Sequence, residues 1–76
     1  MKDYKNYIRG LTDNDFEELT KLAELDKDEY WLAYYALRKD RMAENTREKL
    51  SMSISTYFRK LLIVKTKLYY TIKFTK

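Results

Sequence analysis

The side chains best suited to chemistry in this chain are cations and short hydroxyls near its C-terminus. The last 28 residues carry seven Lys or Arg and no Asp or Glu, whereas the first 37 carry five bases and nine acids. A cationic segment attracts anionic partners, and the interspersed Ser and Thr can bond to base edges or phosphates. We therefore predict a nucleic-acid-binding surface, for DNA in the first place. It comprises Lys49, Ser53, Ser55, Thr56, Arg59, Lys60, Lys65, Lys67, Tyr69, Lys73 and Lys76.

A short stretch around Ser51 resembles the turn and second helix of a helix-turn-helix motif. Leu50 would end the first helix, Ser51 stands where the turn usually has Gly, and Ser53 would open the recognition helix. The resemblance implies that this helix contacts base edges. Thr46 and Arg47 depart from the motif, because an apolar residue and an Ala normally pack at those positions. One uninterrupted amphipathic helix is the simpler alternative for the same residues.

The hydrophobic pattern changes period near the C-terminus. Over 64–76 apolar residues alternate with Lys and Thr, which is the pattern of a half-buried β-strand. A single strand is not stable alone, so we expect it to pair with the N-terminus, a symmetry mate or another protein. Its Lys face would contact a nucleic-acid backbone, or lie solvated as a protected sheet edge.

Capping signals divide the rest of the chain into helices. Thr12 and Asp15 have the spacing of a capping box, and Asp26 and Glu29 repeat it. A break is expected near Asn45, although a helix running through that point fits the pattern as well. The predicted helices span about 13–25, 27–43 and 47–63. The fold class is therefore all-α or mainly α: one domain over all 76 residues, with three to four short helices and a C-terminal extended β segment.

Catalysis is not expected from this composition. The chain has no His and no Cys, which are the commonest general base and the best nucleophile, and its one Gly cannot build a phosphate-binding loop. Two acidic clusters, at 13–18 and 26–29, are explained by helix capping and the helix dipole. We therefore expect no enzymatic activity, no cofactor and no metal site.

The predicted helix over 27–43 is apolar on several sides, so it belongs at the centre of the fold or at a subunit interface. A chain this short buries little surface, and without Cys it has no disulfide to compensate. Oligomerisation is a common remedy. We predict a homodimer whose interface contains Trp31, Tyr34, Tyr35 and Met42.

Two classes of protein are compatible with these features. The first is a small DNA-binding regulator, and its richness in Lys, Asn, Ile and Tyr is typical of AT-rich genomes, such as those of low-GC bacteria and their phages or mobile elements. The alternative is a non-enzymatic interaction module or inhibitor that binds an acidic protein surface or donates its C-terminal strand. With no signal peptide and no aliphatic run longer than four residues, we expect a cytoplasmic protein without membrane contact.

Overall fold

The computed structural model describes residues 4–39 and 41–75, and these residues fold entirely as helices and their connections. The helices are α1 (Tyr4–Arg9), α2 (Asp13–Leu22), α3 (Lys27–Ala33), α4 (Ala43–Leu50) and α5 (Ile54–Thr75), and α3 continues directly into a π-helical segment, Tyr34–Arg38. With 22 residues, α5 is about 33 Å long. This nearly equals the longest dimension of the molecule, 34 Å, so the shorter helices pack along α5.

Helices α2 and α3 begin at the caps predicted from the sequence. The Thr12 hydroxyl accepts a hydrogen bond from the backbone N–H of Asp15 at 3.1 Å. At the start of α3 the capping box is complete, since Asp26 accepts from the Glu29 N–H at 2.8 Å and Glu29 accepts from the Asp26 N–H at 2.9 Å. Both helix starts are thus set by local chemistry.

The predicted C-terminal β segment is wrong, because residues 64–75 belong to α5 and no described residue forms a strand. The alternating pattern contains a helical row: Val64, Leu68 and Ile72 are four residues apart and all buried. Tyr70 and Phe74 would share their face in a strand, yet both are exposed. A helix satisfies its backbone hydrogen bonds internally, whereas a lone strand cannot.

The chain breaks at places other than those predicted. The third helix ends at Arg38 instead of continuing to residue 43, and the break predicted near Asn45 is wrong because that residue lies inside α4. The chain turns after Leu50, where Ser51 adopts the left-handed conformation with φ 55° and ψ 46°. The turn is therefore where the helix-turn-helix interpretation put it, and the alternative of one uninterrupted helix is wrong.

One hydrophobic core joins most of the elements. Helix α5 packs mainly against α3 and α2, and its buried side is supplied by Tyr57, Val64, Leu68 and Ile72. The remaining core residues come from the N-terminal half of the chain. They are Ile8, Phe16, Leu19, Ala23, Leu32, Ala33, Ala36 and Leu37.

Arg38, the last residue of the π-helical segment, holds the α1–α2 connection against the core. Its guanidinium donates to the backbone carbonyls of Ile8 at 3.2 Å and Leu11 at 2.7 Å, and to the Asp13 carboxylate at 2.8 Å. It also lies 5.4 Å from the centre of the Phe16 ring. An Arg that donates to several acceptors at once fixes geometry as well as charge.

The helical assignment of the C-terminus predicts unequal effects from two truncations that a strand would place on one face. Leu68→Ala should lower the free energy of unfolding by about 2–5 kcal/mol, because it leaves a cavity in the core. Phe74→Ala should change it by less than about 1 kcal/mol, because this ring is largely exposed. Urea denaturation followed by circular dichroism measures both free energies. Similar losses of stability would contradict the helix and support a strand.

Candidate functional site

The predicted cationic surface does not form one face in the structure. At 100° per residue, Arg59 and Lys73 point away from the core, Lys60 and Lys67 lie on one flank of α5, and Lys65 lies on the other. These five residues supply all the positive charge of α5, which contains no acid. The excess of positive charge predicted from the sequence is present, but the helix distributes the cations around its axis.

Lys67 is neutralised within the protein. Its ammonium lies 2.9 Å and 3.1 Å from the two carboxylate oxygens of Glu29, whose side chain is 89 % buried. Tyr69 is also engaged, since its ring centre lies 4.9 Å from that of Tyr4. These two predicted nucleic-acid ligands therefore pack within the fold, and Lys76 lies outside the described residues.

The hydroxyl residues at the start of α5 are largely occupied by capping. The Ser53 hydroxyl donates to the Thr56 hydroxyl at 2.9 Å and accepts from the Thr56 N–H at 3.3 Å. Ser55 is exposed on the side of α5 that points away from the core. The serine-rich sequence thus starts the helix, as Ser residues at an N-terminus commonly do.

Two residues that the sequence analysis singled out against the helix-turn-helix pattern have unfavourable surroundings. Ser51 takes the left-handed turn conformation that normally favours Gly. Thr46 is completely buried, and its hydroxyl has no hydrogen-bond partner among the described residues. Both residues therefore lower the stability of the fold.

The largest feature that the sequence did not reveal is an apolar surface on α5. We name the outward face of α5 the eight exposed residues of this helix that point away from the core. They are Ser55, Arg59, Leu62, Ile63, Thr66, Tyr70, Lys73 and Phe74. The four apolar members expose between 43 % and 67 % of their surfaces. The signal was present as a four-residue spacing of apolar residues, but it was interpreted as strand alternation.

A groove continues this apolar surface at the C-terminal end of α5. It encloses about 430 Å³, and its walls include Tyr70 and Phe74 on one side and Leu22 of α2 on the other. Leu22 is itself 63 % exposed. Large apolar side chains on opposite walls suit the groove to an apolar ligand group.

A second surface combines aromatic rings and cations. Trp31 and Tyr35 stack with ring centres 5.9 Å apart and planes 26° apart, and Tyr34 meets Tyr35 edge-on at 5.3 Å. Three cations from neighbouring segments cover these rings. We name the aromatic–cation patch the set Trp31, Tyr34, Tyr35, Lys39, Arg41 and Lys49.

The aromatic–cation patch joins residues that the sequence analysis assigned to different functions. Trp31, Tyr34 and Tyr35 were predicted at a homodimer interface and Lys49 at a nucleic-acid surface, whereas Lys49 lies 5.6 Å from the Tyr35 ring centre. Met42, the fourth predicted interface residue, is exposed where α4 begins. Lys49 of α4 thus meets Tyr35 of the π-helical segment, a contact that sequence spacing alone did not indicate.

Two phenols outside these surfaces have raised pKa values. Burial raises the pKa of Tyr57, and burial together with the negative charge of Glu17 raises the pKa of Tyr30. Both phenols therefore stay protonated at neutral pH. No three acidic side chains converge on a possible metal site within the described part of the chain. The side chains of the two surfaces offer apolar contact, ring stacking and charge.

Comparison of the chain with protein-family models, curated proteins and solved structures finds no match. Among residues 4–39 and 41–75, no helix combines the length and apolar character needed to cross a lipid bilayer.

The left-handed Ser51 predicts that Gly is the better residue at this turn. Ser51→Gly should raise the free energy of unfolding by up to about 1 kcal/mol, because Gly adopts positive φ without a Cβ clash. Ser53→Gly serves as the control and should lower stability, since it removes the cap of α5. Urea melts compare the two variants, and a loss of stability in Ser51→Gly would contradict the described turn.

The buried hydroxyl of Thr46 predicts a stabilising substitution inside α4. Thr46→Val keeps the shape and removes an unsatisfied polar atom, so the free energy of unfolding should rise by about 1 kcal/mol. Thr66→Val should have little effect, because this residue is exposed and its hydroxyl already donates to the Leu62 carbonyl at 2.8 Å. Thermal unfolding measures both, and equal effects would refute the burial of Thr46.

Proposed function

We propose that this protein is a non-enzymatic interaction module that binds an acidic amphipathic helix of another protein. The binding surface is the outward face of α5. The observation that carries the proposal is a row of exposed apolar side chains on a helix whose only charges are positive. Isolated exposed apolar residues are ordinary on protein surfaces, whereas a contiguous apolar strip is typical of an interaction site.

The apolar members of the face can contribute enough free energy for specific binding. Burying one Leu, Ile or Phe side chain completely contributes about 1.5–3 kcal/mol. Leu62, Ile63, Tyr70 and Phe74 expose on average about 60 % of their surfaces, so together they offer several kcal/mol to offset the cost of association. Thr66 lies among them with its hydroxyl already satisfied by the Leu62 carbonyl, so covering it leaves no polar group unpaired.

The charges on the outward face define the partner more closely. Arg59 and Lys73 lie near the two ends of the apolar strip, with Leu62, Ile63 and Tyr70 between them. They are fourteen residues apart, which is about 21 Å along a helix. A complementary helix would carry two acids at the same spacing, with apolar residues between them. This is the helix-in-groove mode of recognition, with charge selecting the partner.

Charge also argues against a second copy of the chain as the occupant. Two antiparallel copies of α5 centred on Thr66 would place Arg59 of each opposite Lys73 of the other. Like charges facing each other oppose association. The homodimer predicted through Trp31, Tyr34, Tyr35 and Met42 involves other residues and remains a separate prediction.

The groove between α2 and α5 provides an anchor point. A Leu, Met or Phe of the partner helix would insert between Leu22 and the Tyr70 and Phe74 rings. Anchors of this kind supply most of the affinity in helix recognition.

DNA binding by α5, the first expectation from the sequence, has weaker support because the cations point in three directions and Lys67 is paired with Glu29. We place the protein in the cytoplasm as an inhibitor or regulator of its partner.

The proposal is tested with designed peptides and charge reversal. One labelled helical peptide carries two Glu fourteen positions apart with apolar residues at the facing positions between them, and a matched peptide carries Lys in place of Glu. The wild-type protein should bind the Glu peptide at least about tenfold more tightly in fluorescence anisotropy. The double variant Arg59→Glu, Lys73→Glu should reverse this preference, since it reverses both charges of the face.

The control for charge alone is the double variant Arg41→Glu, Lys49→Glu, which alters the net charge equally but leaves the outward face intact. Its preference for the Glu peptide should persist. Tyr70→Ser should weaken binding about tenfold with little change in the unfolding midpoint, since this ring is exposed. Equal affinity for both peptides would refute the proposal. An 18–19 kDa dimer that Tyr70→Ser converts to the 9.3 kDa monomer in sedimentation would also refute it, because a second copy would then occupy the outward face.

A further inference from the structure

We infer that the aromatic–cation patch is a binding site for single-stranded nucleic acid. A base would stack on the exposed part of the Trp31–Tyr35 pair, and phosphates on either side of it would contact Arg41 and Lys49. This function is distinct from the proposed helix recognition and uses different elements: α3, the π-helical segment and α4.

The aromatic part of the patch is a preformed stacking surface. Trp31 is 37 % exposed and already stacked on Tyr35. Tyr34 meets both rings edge-on, at 5.6 Å from Trp31 and 5.3 Å from Tyr35, and so holds the pair in place. Exposed aromatic rings that are fixed in position are the usual platform for unpaired bases.

The cations are positioned around this platform. The Arg41 guanidinium and the Lys49 ammonium each lie 5.6 Å from the centre of the Tyr35 ring, so the two are no more than twice that distance apart. Lys39 lies 5.5 Å from the Tyr34 ring centre. All three side chains are exposed, and none forms an ion pair within the described part of the chain. Their donors are therefore available to phosphate oxygens.

Charge favours the Tyr35 side of the patch. Trp31 also lines a groove whose walls include two acids and two bases, namely Glu17, Asp26, Lys21 and Lys27, so the charges of that groove offset each other. Arg41 and Lys49 lie at the Tyr35 ring and attract phosphates there. Only a few nucleotides are therefore in contact.

The surface selects single strands over duplexes for a geometric reason. Bases in a duplex are stacked on their neighbours and present only their edges, so a flat aromatic platform cannot reach their faces. An unpaired base can leave its neighbours and stack on Trp31. No side chain of the patch offers the paired donors and acceptors that would distinguish one base from another, so little sequence preference is expected.

Trp31 is the one Trp of the chain, and it serves as the reporter. Titration with an oligothymidylate of about 15 nucleotides should quench its fluorescence as a base stacks on the indole. The apparent affinity should fall with salt, with a slope of log K against log salt between about −1.4 and −2.1 for two or three phosphates. The double variant Arg41→Glu, Lys49→Glu should bind at least about tenfold more weakly. The double variant Arg59→Glu, Lys73→Glu, with the same net charge, should bind like wild type.

Several results would overturn the inference. They are the absence of quenching at low salt, an equal loss in the two charge-reversal variants, and tighter binding of a duplex of the same length. Displacement of the oligonucleotide by the acidic peptide would also refute it, because the two ligands would then share one site. Arg41→Gln with Lys49→Gln repeats the measurement without charge repulsion if the Glu variant loses its helical circular dichroism.

Discussion

One carboxylate, that of Glu29, links the start of α3 to the middle of α5. It accepts the backbone N–H of Asp26 and so completes the cap of α3, and it also accepts the Lys67 ammonium from α5. A buried carboxylate is costly unless its oxygens are paired, and here both are used. Because Lys67 must face α3, the rotation of α5 about its own axis is restricted. The same rotation directs Val64 and Leu68 into the core.

The rotation of α5 decides which residues remain for a partner. Once Val64, Leu68 and Ile72 are buried, the opposite side of the helix carries Leu62 and Tyr70 into solvent. As a strand, the same residues would have formed one Lys face and one apolar face. As a helix they produce an apolar strip with one cation near each end and the other cations on the flanks. This distribution of charge is the reason for proposing an acidic helix, and not a nucleic acid, as the partner of α5.

A second set of contacts shapes the aromatic end of the molecule. Arg38, the last residue of the π-helical segment, joins that segment to the α1–α2 connection. Wide turns of this kind recur at functional sites. Beyond this segment the chain turns into α4, which places Lys49 beside Tyr35. Two potential binding surfaces thus arise from separate parts of a chain of 76 residues.

Local chemistry alone determined where α2 and α3 begin. Caps depend on residues within three or four positions of each other, and those distances can be seen in a sequence. The turn at Ser51 was only one of two interpretations that the sequence allowed, because an uninterrupted helix fitted the same residues. Whether the C-terminal segment is a strand or a helix could not be determined in this way. Val64, Leu68 and Ile72 fit the two-residue spacing of a strand and the four-residue spacing of a helix equally well. Tertiary packing decided it, since the side of α5 that lies against α2 and α3 buries these three residues. The pairing of Lys67 with Glu29 spans 38 positions, and only the folded chain could show that this cation is already paired.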